Sequence, residues 1–184
     1  MFFRIKELEL EKKEFNESYP PGAIDIGPDA QQKGDLKTAG RAELIEENHG
    51  GKNIVQDIRV VGDFATRIEM PCARCLEPVG ADLKQDFDLL YRPLSSRKGP
   101  KDEVEINEAE SEIGFYQGDG IALEDVLKEQ VILALPLKSL CREDCKGLCA
   151  GCGKNLNQGK CECGEKPTDP RWDALAGLKE KLKS

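Results

Sequence analysis

Eight cysteines are the residues of this chain best suited to chemistry, and their spacing points to metal binding. Six of them run Cys141-x3-Cys145-x3-Cys149-x2-Cys152-x8-Cys161-x-Cys163, and an earlier pair forms Cys72-x2-Cys75. A zinc ion takes four soft or borderline ligands in a tetrahedron. Two cysteines two residues apart reach one ion from a tight turn, and a glycine after the second opens unusual backbone angles. Cys149-Ala150-Gly151-Cys152-Gly153 and Cys161-Glu162-Cys163-Gly164 both carry that glycine, with a polar turn from Lys154 to Lys160 between them. Cys149, Cys152, Cys161 and Cys163 are therefore the best single four-thiolate set. Cys141 and Cys145 are then left to join Cys72 and Cys75 in a second set, for one or two structural Zn2+ ions in all. Spacing alone also lets Cys141 or Cys145 replace one of the later ligands. Thiolates serve iron–sulfur clusters too. A disulfide scaffold suits a reducing compartment poorly. A redox Cys-x-x-Cys belongs at a helix start in a βαβ unit, whereas Cys72 and Cys75 fall between two strand patterns.

Catalytic constellations are missing from the pattern. The sole histidine, His49, lies in an Asn-His-Gly-Gly turn and reads as a surface residue. Without a second histidine, Ser-His-Asp or Cys-His chemistry would have to be built around His49 alone. No Walker-type or dinucleotide Gly-rich loop occurs. The carboxylates are scattered, and four-Cys zinc sites are closed and structural. The expectation is a protein that is not an enzyme and has no small-molecule substrate.

The cysteine pair at 72 and 75 is positioned by the clearest pattern in the chain. Ile54, Ile58, Val60, Phe64, Ile68 and Met70 alternate with Asp57, Arg59, Asp63, Arg67 and Glu69. Val79, Ala81, Leu83, Phe87, Leu89 and Tyr91 alternate with Asp82, Lys84, Asp86 and Asp88. Both have the period of half-buried strands, and Gly62 reads as a bend. Only Pro71-Cys72-Ala73-Arg74-Cys75-Leu76-Glu77-Pro78 separates them, so a long antiparallel hairpin with the knuckle at its tip is predicted. Phe2 to Leu10 reads as a first strand, Asn16 to Asp35 as a Pro- and Gly-rich loop, and Lys37 to Glu47 as a strand. Leu94 to Glu112 is a solvated loop, and Gly114-Phe115-Tyr116 a short strand. Ile121 to Leu135 switches to helical spacing, with Leu123, Val126, Leu127, Val131 and Ala134 on one face. Ile132, Leu133 and Leu135 widen that stripe and predict a well-buried helix. Asp169-Pro170 caps a short amphipathic helix with Trp172, Leu175, Leu178 and Leu182.

The fold class expected is α+β: an antiparallel β-sheet or partly open barrel with one buried helix and a C-terminal Cys-rich zinc module. The domains expected are a β-rich domain over 1–135 with its helix at about 121–135, a zinc-knuckle module over 136–168, and a C-terminal amphipathic helix over 169–184.

Length (184 residues) and 39 % apolar content allow one lean core with a small appended module. No apolar run approaches the roughly 20 residues that span a bilayer, and Met1-Phe2-Phe3-Arg4-Ile5-Lys6-Glu7 has charge where a signal peptide needs its apolar region. The expectation is a cytoplasmic protein with no membrane partner. The net charge of −8 is uneven: residues 1–135 hold 17 Lys/Arg against 28 Asp/Glu, residues 136–184 hold 10 against 7. An acidic chain is a poor general nucleic-acid binder, which leaves Arg74, Lys138, Arg142, Lys146, Lys154 and Lys160 around the knuckles as candidate RNA or partner contacts.

Several stretches together resemble the YceD family. They are Pro71 to Pro78, Gly118-Asp119 through Leu133-Ala134-Leu135-Pro136, Cys145-Lys146-Gly147-Leu148-Cys149 with Cys152-Gly153-Lys154-Asn155-Leu156-Asn157, and Asp169-Pro170-Arg171-Trp172 through Leu178-Lys179. This is a bacterial and plastid group linked to accumulation of large-subunit ribosomal RNA. The resemblance implies a cytoplasmic, non-enzymatic factor in ribosome biogenesis that supports accumulation or processing of 23S rRNA and binds precursor rRNA, ribosomal proteins or both. It carries over no catalytic residue. An adaptor that binds a basic ribosomal protein without touching RNA is the alternative.

Overall fold

The structure, a computed structural model, describes residues 1–48, 54–96 and 113–163. The turn at His49, the loop after Ser96 and the helix expected over 169–184 lie outside the described residues. The chain divides into two compact units. One comprises Met1–Pro71 with Pro78–Ser139, the other Cys72–Glu77 with residues from Leu140 onward.

The first unit is a six-stranded sheet built on the predicted hairpin. Strand β5 (Ile54–Pro71) pairs antiparallel with β6 (Pro78–Pro93) from Ile58↔Tyr91 to Pro71↔Pro78. On its other edge β5 pairs with β4 (Leu36–Asn48), which pairs with β2 (Lys13–Tyr19). A two-residue strand β3 (Gln31–Gln32) also joins β5, and β7 (Ile113–Tyr116) closes the order β2-β4-β5-β6-β7 by lying parallel to β6. The sheet is open, so the barrel alternative is set aside. A separate two-stranded ribbon pairs β1 (Phe2–Arg4) with β8 (Gly120–Ala122).

Alternation sorts the two faces. Ile58, Val60, Phe64 and Ile68 of β5 are fully buried on one side with Leu36 and Ala42 of β4 and Phe87 and Tyr91 of β6. Each such aliphatic or aromatic side chain contributes about 1.5–3 kcal/mol when withdrawn from water. Helix α2 (Leu123–Ala134) adds Leu123, Val126, Leu127 and Val131 to the same core, and Glu124 and Asp125 occupy its first turn, where the helix dipole favours them. The opposite sheet face is polar, with exposed pairs such as Arg59–Asp88 and Arg67–Asp82.

One row across the sheet explains two glycines. The register aligns Phe15, Gly40, Gly62 and Phe87 on β2, β4, β5 and β6. A Cβ on Gly62 would sit 3.1 Å from the rings of both Phe15 and Phe87 and 2.6 Å from the Ala39 carbonyl oxygen. One on Gly40 would lie 2.2 Å from the carbonyl oxygen of Val61. The two outer phenyl rings fold inward over a glycine floor. Gly62 is therefore needed for close approach, and pairing continues residue for residue on either side of it.

Several expectations are corrected. Phe2 to Leu10 is a three-residue strand followed by a single helical turn, α1 (Ile5–Leu8), because Ile5 and Leu8 fall on one helical face. The loop expected from Asn16 begins later: β2 runs through Tyr19, and its only buried side chain, Phe15, leaves it too polar to read as a strand. Residues 121 and 122 belong to β8, not to the helix, since they pair with β1. The widened helix stripe is buried only in part: Ile132 is 42 % and Leu133 68 % exposed, whereas Leu135 is half-buried against the core. Asp57, placed by alternation on the polar face, is fully buried against Arg92. Among the described residues, no helix is long and apolar enough to cross a membrane.

Candidate metal centre

The second unit gathers all eight cysteines into two groups of four. The sulfurs of Cys72, Cys75, Cys141 and Cys145 lie within 4.8 Å of one another, as do those of Cys149, Cys152, Cys161 and Cys163. Within the first group Cys72 and Cys145 are 3.8 Å apart and Cys75 and Cys141 3.6 Å; within the second Cys149 and Cys161 are 3.4 Å apart. Four sulfurs at ~2.3 Å from one ion in a tetrahedron stand ~3.8 Å from each other. All eight thiols are free. The donor set and its spacing fit a metal ion of the zinc class in both places.

The two Cys-x-x-Cys turns are twins in their backbone. The Cys72 N–H donates to the Glu77 carbonyl at 2.8 Å, and the Leu76 N–H returns to the Cys72 carbonyl at 3.0 Å. The Cys149 N–H donates to the Lys154 carbonyl at 2.8 Å, and the Gly153 N–H returns to the Cys149 carbonyl at 2.8 Å. In each, the residue after the second cysteine is left-handed: Leu76 at φ 62° and Gly153 at φ 74°. Glycine takes that conformation freely, whereas leucine is strained there, so the first knuckle holds its turn against a local preference.

The turns also aim N–H groups at sulfur. The backbone N–H groups of Arg74 and Cys141 draw the Cys72 thiol down to about 6. Those of Cys152 and Gly151 do the same for Cys149, also to about 6. Burial and neighbouring sulfurs push Cys141 up to about 12, and hydrogen bonding with Cys152 and Cys149 does so for Cys163. Four adjacent thiols cannot all ionise on their own; a central cation is what would let every one serve as a thiolate.

The two groups differ in shelter. Cys72, Cys75 and Cys145 are buried and Cys141 exposed, whereas Cys149 and Cys161 are half-buried and Cys152 and Cys163 exposed. The first group also has a support that the spacing did not reveal. Asn157 donates from Nδ2 to the Cys145 sulfur at 3.3 Å, accepts the Lys146 N–H at Oδ1 (2.8 Å), and is itself held by Asn155 Oδ1. That bond is the largest influence lowering the Cys145 thiol. Asn157→Ala is expected to weaken metal binding at the first group by about 10–100-fold while sparing the second. Competition with a chromophoric chelator measures this, and unchanged affinity would remove Asn157 from the support of the site.

The six cations expected around the knuckles do different jobs. Arg74 donates from Nη1 to the carbonyls of Cys145 (2.8 Å) and Glu143 (3.2 Å), tying the Cys72–Cys75 turn to the next ligand pair. Lys154 donates to the Lys160 carbonyl at 3.0 Å, and Arg142 pairs with Asp144 at 3.4 Å. Lys146 and Lys160 are exposed in this unit, and Lys138, also exposed, belongs to the other unit.

Residues 60–179 match the family described as "Large ribosomal RNA subunit accumulation protein YceD". The chain belongs to the YceD family. That span takes in β5 beyond Arg59, β6, α2 and every cysteine of both groups. A chloroplastic protein of Arabidopsis thaliana named as a large ribosomal RNA subunit accumulation protein, YCED homolog 1, is 27 % identical over 150 residues, 68 % of this chain and 45 % of its own. An uncharacterized protein of Mycobacterium bovis is 31 % identical over 129 residues, 69 % of this chain and 58 % of its own. One of Mycobacterium leprae is 29 % identical over 106 residues, 57 % and 46 % respectively. The chain thus spans about half the length of the curated relatives it matches. No solved structure matches it. The YceD description names accumulation of an RNA and no class of enzyme.

Proposed function

We propose that this protein is a cytoplasmic, non-enzymatic factor in bacterial ribosome biogenesis that supports accumulation or processing of large-subunit (23S) rRNA. Its C-terminal module is held together by two structural zinc ions. The observation that carries the reading is membership of the YceD family across the hairpin, the helix and both cysteine groups. The metal residues are Cys72, Cys75, Cys141 and Cys145 for one ion and Cys149, Cys152, Cys161 and Cys163 for the other. Zinc would supply charge neutralisation and cross-linking, with no open position for chemistry. Lys138, Arg142, Lys146 and Lys160 are the candidate contacts to a partner, while Arg74 and Lys154 also brace the module itself. Crosslinking the tagged protein in cells should recover large-subunit precursor rRNA or ribosomal proteins above an untagged control. Recovery of neither would sink the proposal.

A second reading is favoured by the acidic balance of residues 1–135. The protein would act as an adaptor for a basic ribosomal protein without touching RNA, drawn by an opposite charge. The same crosslinking separates the two: protein without RNA supports the adaptor.

A further inference from the structure

The first unit contains a cavity of about 330 Å³ between α2, β7 and the β1–β8 ribbon, lined by Phe2, Tyr91, Phe115, Tyr116, Asp125 and Glu129. Its walls are aromatic because glycines make room for the rings. A Cβ on Gly114 would fall 2.5 Å from the Tyr91 ring, and one on Gly120 2.8 Å from that of Phe2. Phe2 (41 %) and Phe115 (43 %) remain substantially exposed at the mouth, and the Arg4 guanidinium already lies 5.7 Å over the Phe2 ring. Asp125 and Glu129 are one turn apart on α2, and both reach the same cavity. Glu129 accepts the Tyr91 hydroxyl at 3.3 Å, which holds its carboxylate at the edge of that ring. Burial, Glu129 and Asp125 together keep that phenol protonated, as a donor. Among the described residues neither carboxylate has a cationic partner, although other acids of this unit do, as Lys128–Asp25 and Arg59–Asp88 show.

We propose that this cavity is a receptor for an arginine side chain presented by a basic protein segment. Aromatic faces and two carboxylates are complementary to one flat, delocalised cation: the guanidinium stacks on the rings and donates in plane to the acids. The volume is at the small end of ligand cavities, room for one long side chain rather than a cofactor. The net negative balance of residues 1–135 steers a polycationic chain towards it. This deepens the adaptor reading and rests on it only for the kind of chain that brings the arginine.

The test uses the full-length, metal-loaded protein and an acetylated, amidated peptide of alternating arginine and glycine. Its lysine and citrulline counterparts and spermidine serve as comparisons. Amide chemical-shift changes should centre on Phe115, Tyr116 and Glu129, with arginine binding more tightly than lysine and citrulline not binding. Asp125→Asn with Glu129→Gln should weaken the arginine peptide by about tenfold or more, a change typical of losing close charge pairs. Glutamine still accepts the Tyr91 hydroxyl, and circular dichroism should confirm an unchanged fold. Asp63→Asn with Asp86→Asn removes the same charge from the opposite sheet face and should leave affinity within about twofold. Equal losses in the two double variants, citrulline binding as well as arginine, or absence of shifts at the cavity would each overturn the proposal. Spermidine competing as strongly as the peptide would overturn the protein source. Failure of the ribosome reading would show instead as empty crosslinks, with peptide binding intact.

Discussion

Purified protein should carry two zinc ions per chain, and the Cys72→Ser/Cys75→Ser variant one. Cys149→Ser/Cys152→Ser should lose the other ion and leave the first. The effect is expected to be large because the module has little else to hold it. The apolar core cluster lies wholly in the first unit. Among the described residues of the second unit, the only buried apolar side chains are those of Cys72, Cys75 and Cys145, and Leu76 is 63 % exposed. A segment without an apolar core does not recover the conformational entropy of folding, which costs on the order of 1–2 kcal/mol per ordered residue. Structural zinc in comparable peptides supplies about 10–16 kcal/mol. Chelation should therefore unfold the second unit while the sheet of the first survives, read as loss of amide dispersion for residues 140–163 with β5 and β6 resonances in place. The more exposed Cys149 group should release its ion first. A single ion that survives the Cys72/Cys75 change would refute the partition, and so would a module that stays folded in chelator.

How far these features could be read from residues alone depends on the distance over which each is determined. The β5–β6 hairpin was legible because its alternation is local and runs for many residues on both sides of a short turn. The knuckles were legible for the same reason, since Cys-x-x-Cys specifies its own turn. Glycine after Cys152 was a correct local signal; Leu76 in the matching place after Cys75 gave none, although it takes the same left-handed backbone. What escaped depends on partners distant in sequence. Asn157 looks like any polar turn residue until Cys145 is beside it. Phe15 is a lone apolar residue in a polar stretch, and it is buried because the Gly40–Gly62 floor admits its ring and the Phe3 ring lies 5.7 Å away. Phe2, Tyr91, Phe115 and Glu129 have no common motif, because sheet pairing and α2 bring them together. Ile132 and Leu133 failed in the other direction: helical spacing widened the stripe, but α2 turns its Leu123–Val126–Leu127–Val131–Ala134 side to the core and leaves these two exposed.

Asp57→Ala should destabilise the first unit by about 3–5 kcal/mol, the usual cost of removing one member of a buried ion pair. Asp57 has no exposed surface, and Arg92 is 15 % exposed. The guanidinium meets the carboxylate as a fork, Nε to Oδ1 at 3.1 Å and Nη2 to Oδ2 at 2.6 Å. This geometry offsets part of the desolvation of both charges. Truncating Asp57 withdraws the fork's carboxylate from a largely sheltered guanidinium, so the loss exceeds that from an exposed pair. Arg67→Ala, which breaks the solvent-facing contact with Asp82, should cost about 1 kcal/mol or less. The pair also explains why strict alternation fails at this end of β5, where Val55 and Asp57 are buried together with Ile58. A charge there is tolerated because β6 delivers its counter-charge one strand away. Replacing both residues, Asp57→Leu with Arg92→Met, should recover much of the stability, since two apolar side chains of similar size leave no charge to desolvate. Urea denaturation followed by circular dichroism measures all four proteins. A loss below about 1 kcal/mol for Asp57→Ala, or a double variant no more stable than Asp57→Ala, would show that the two charges do not depend on each other.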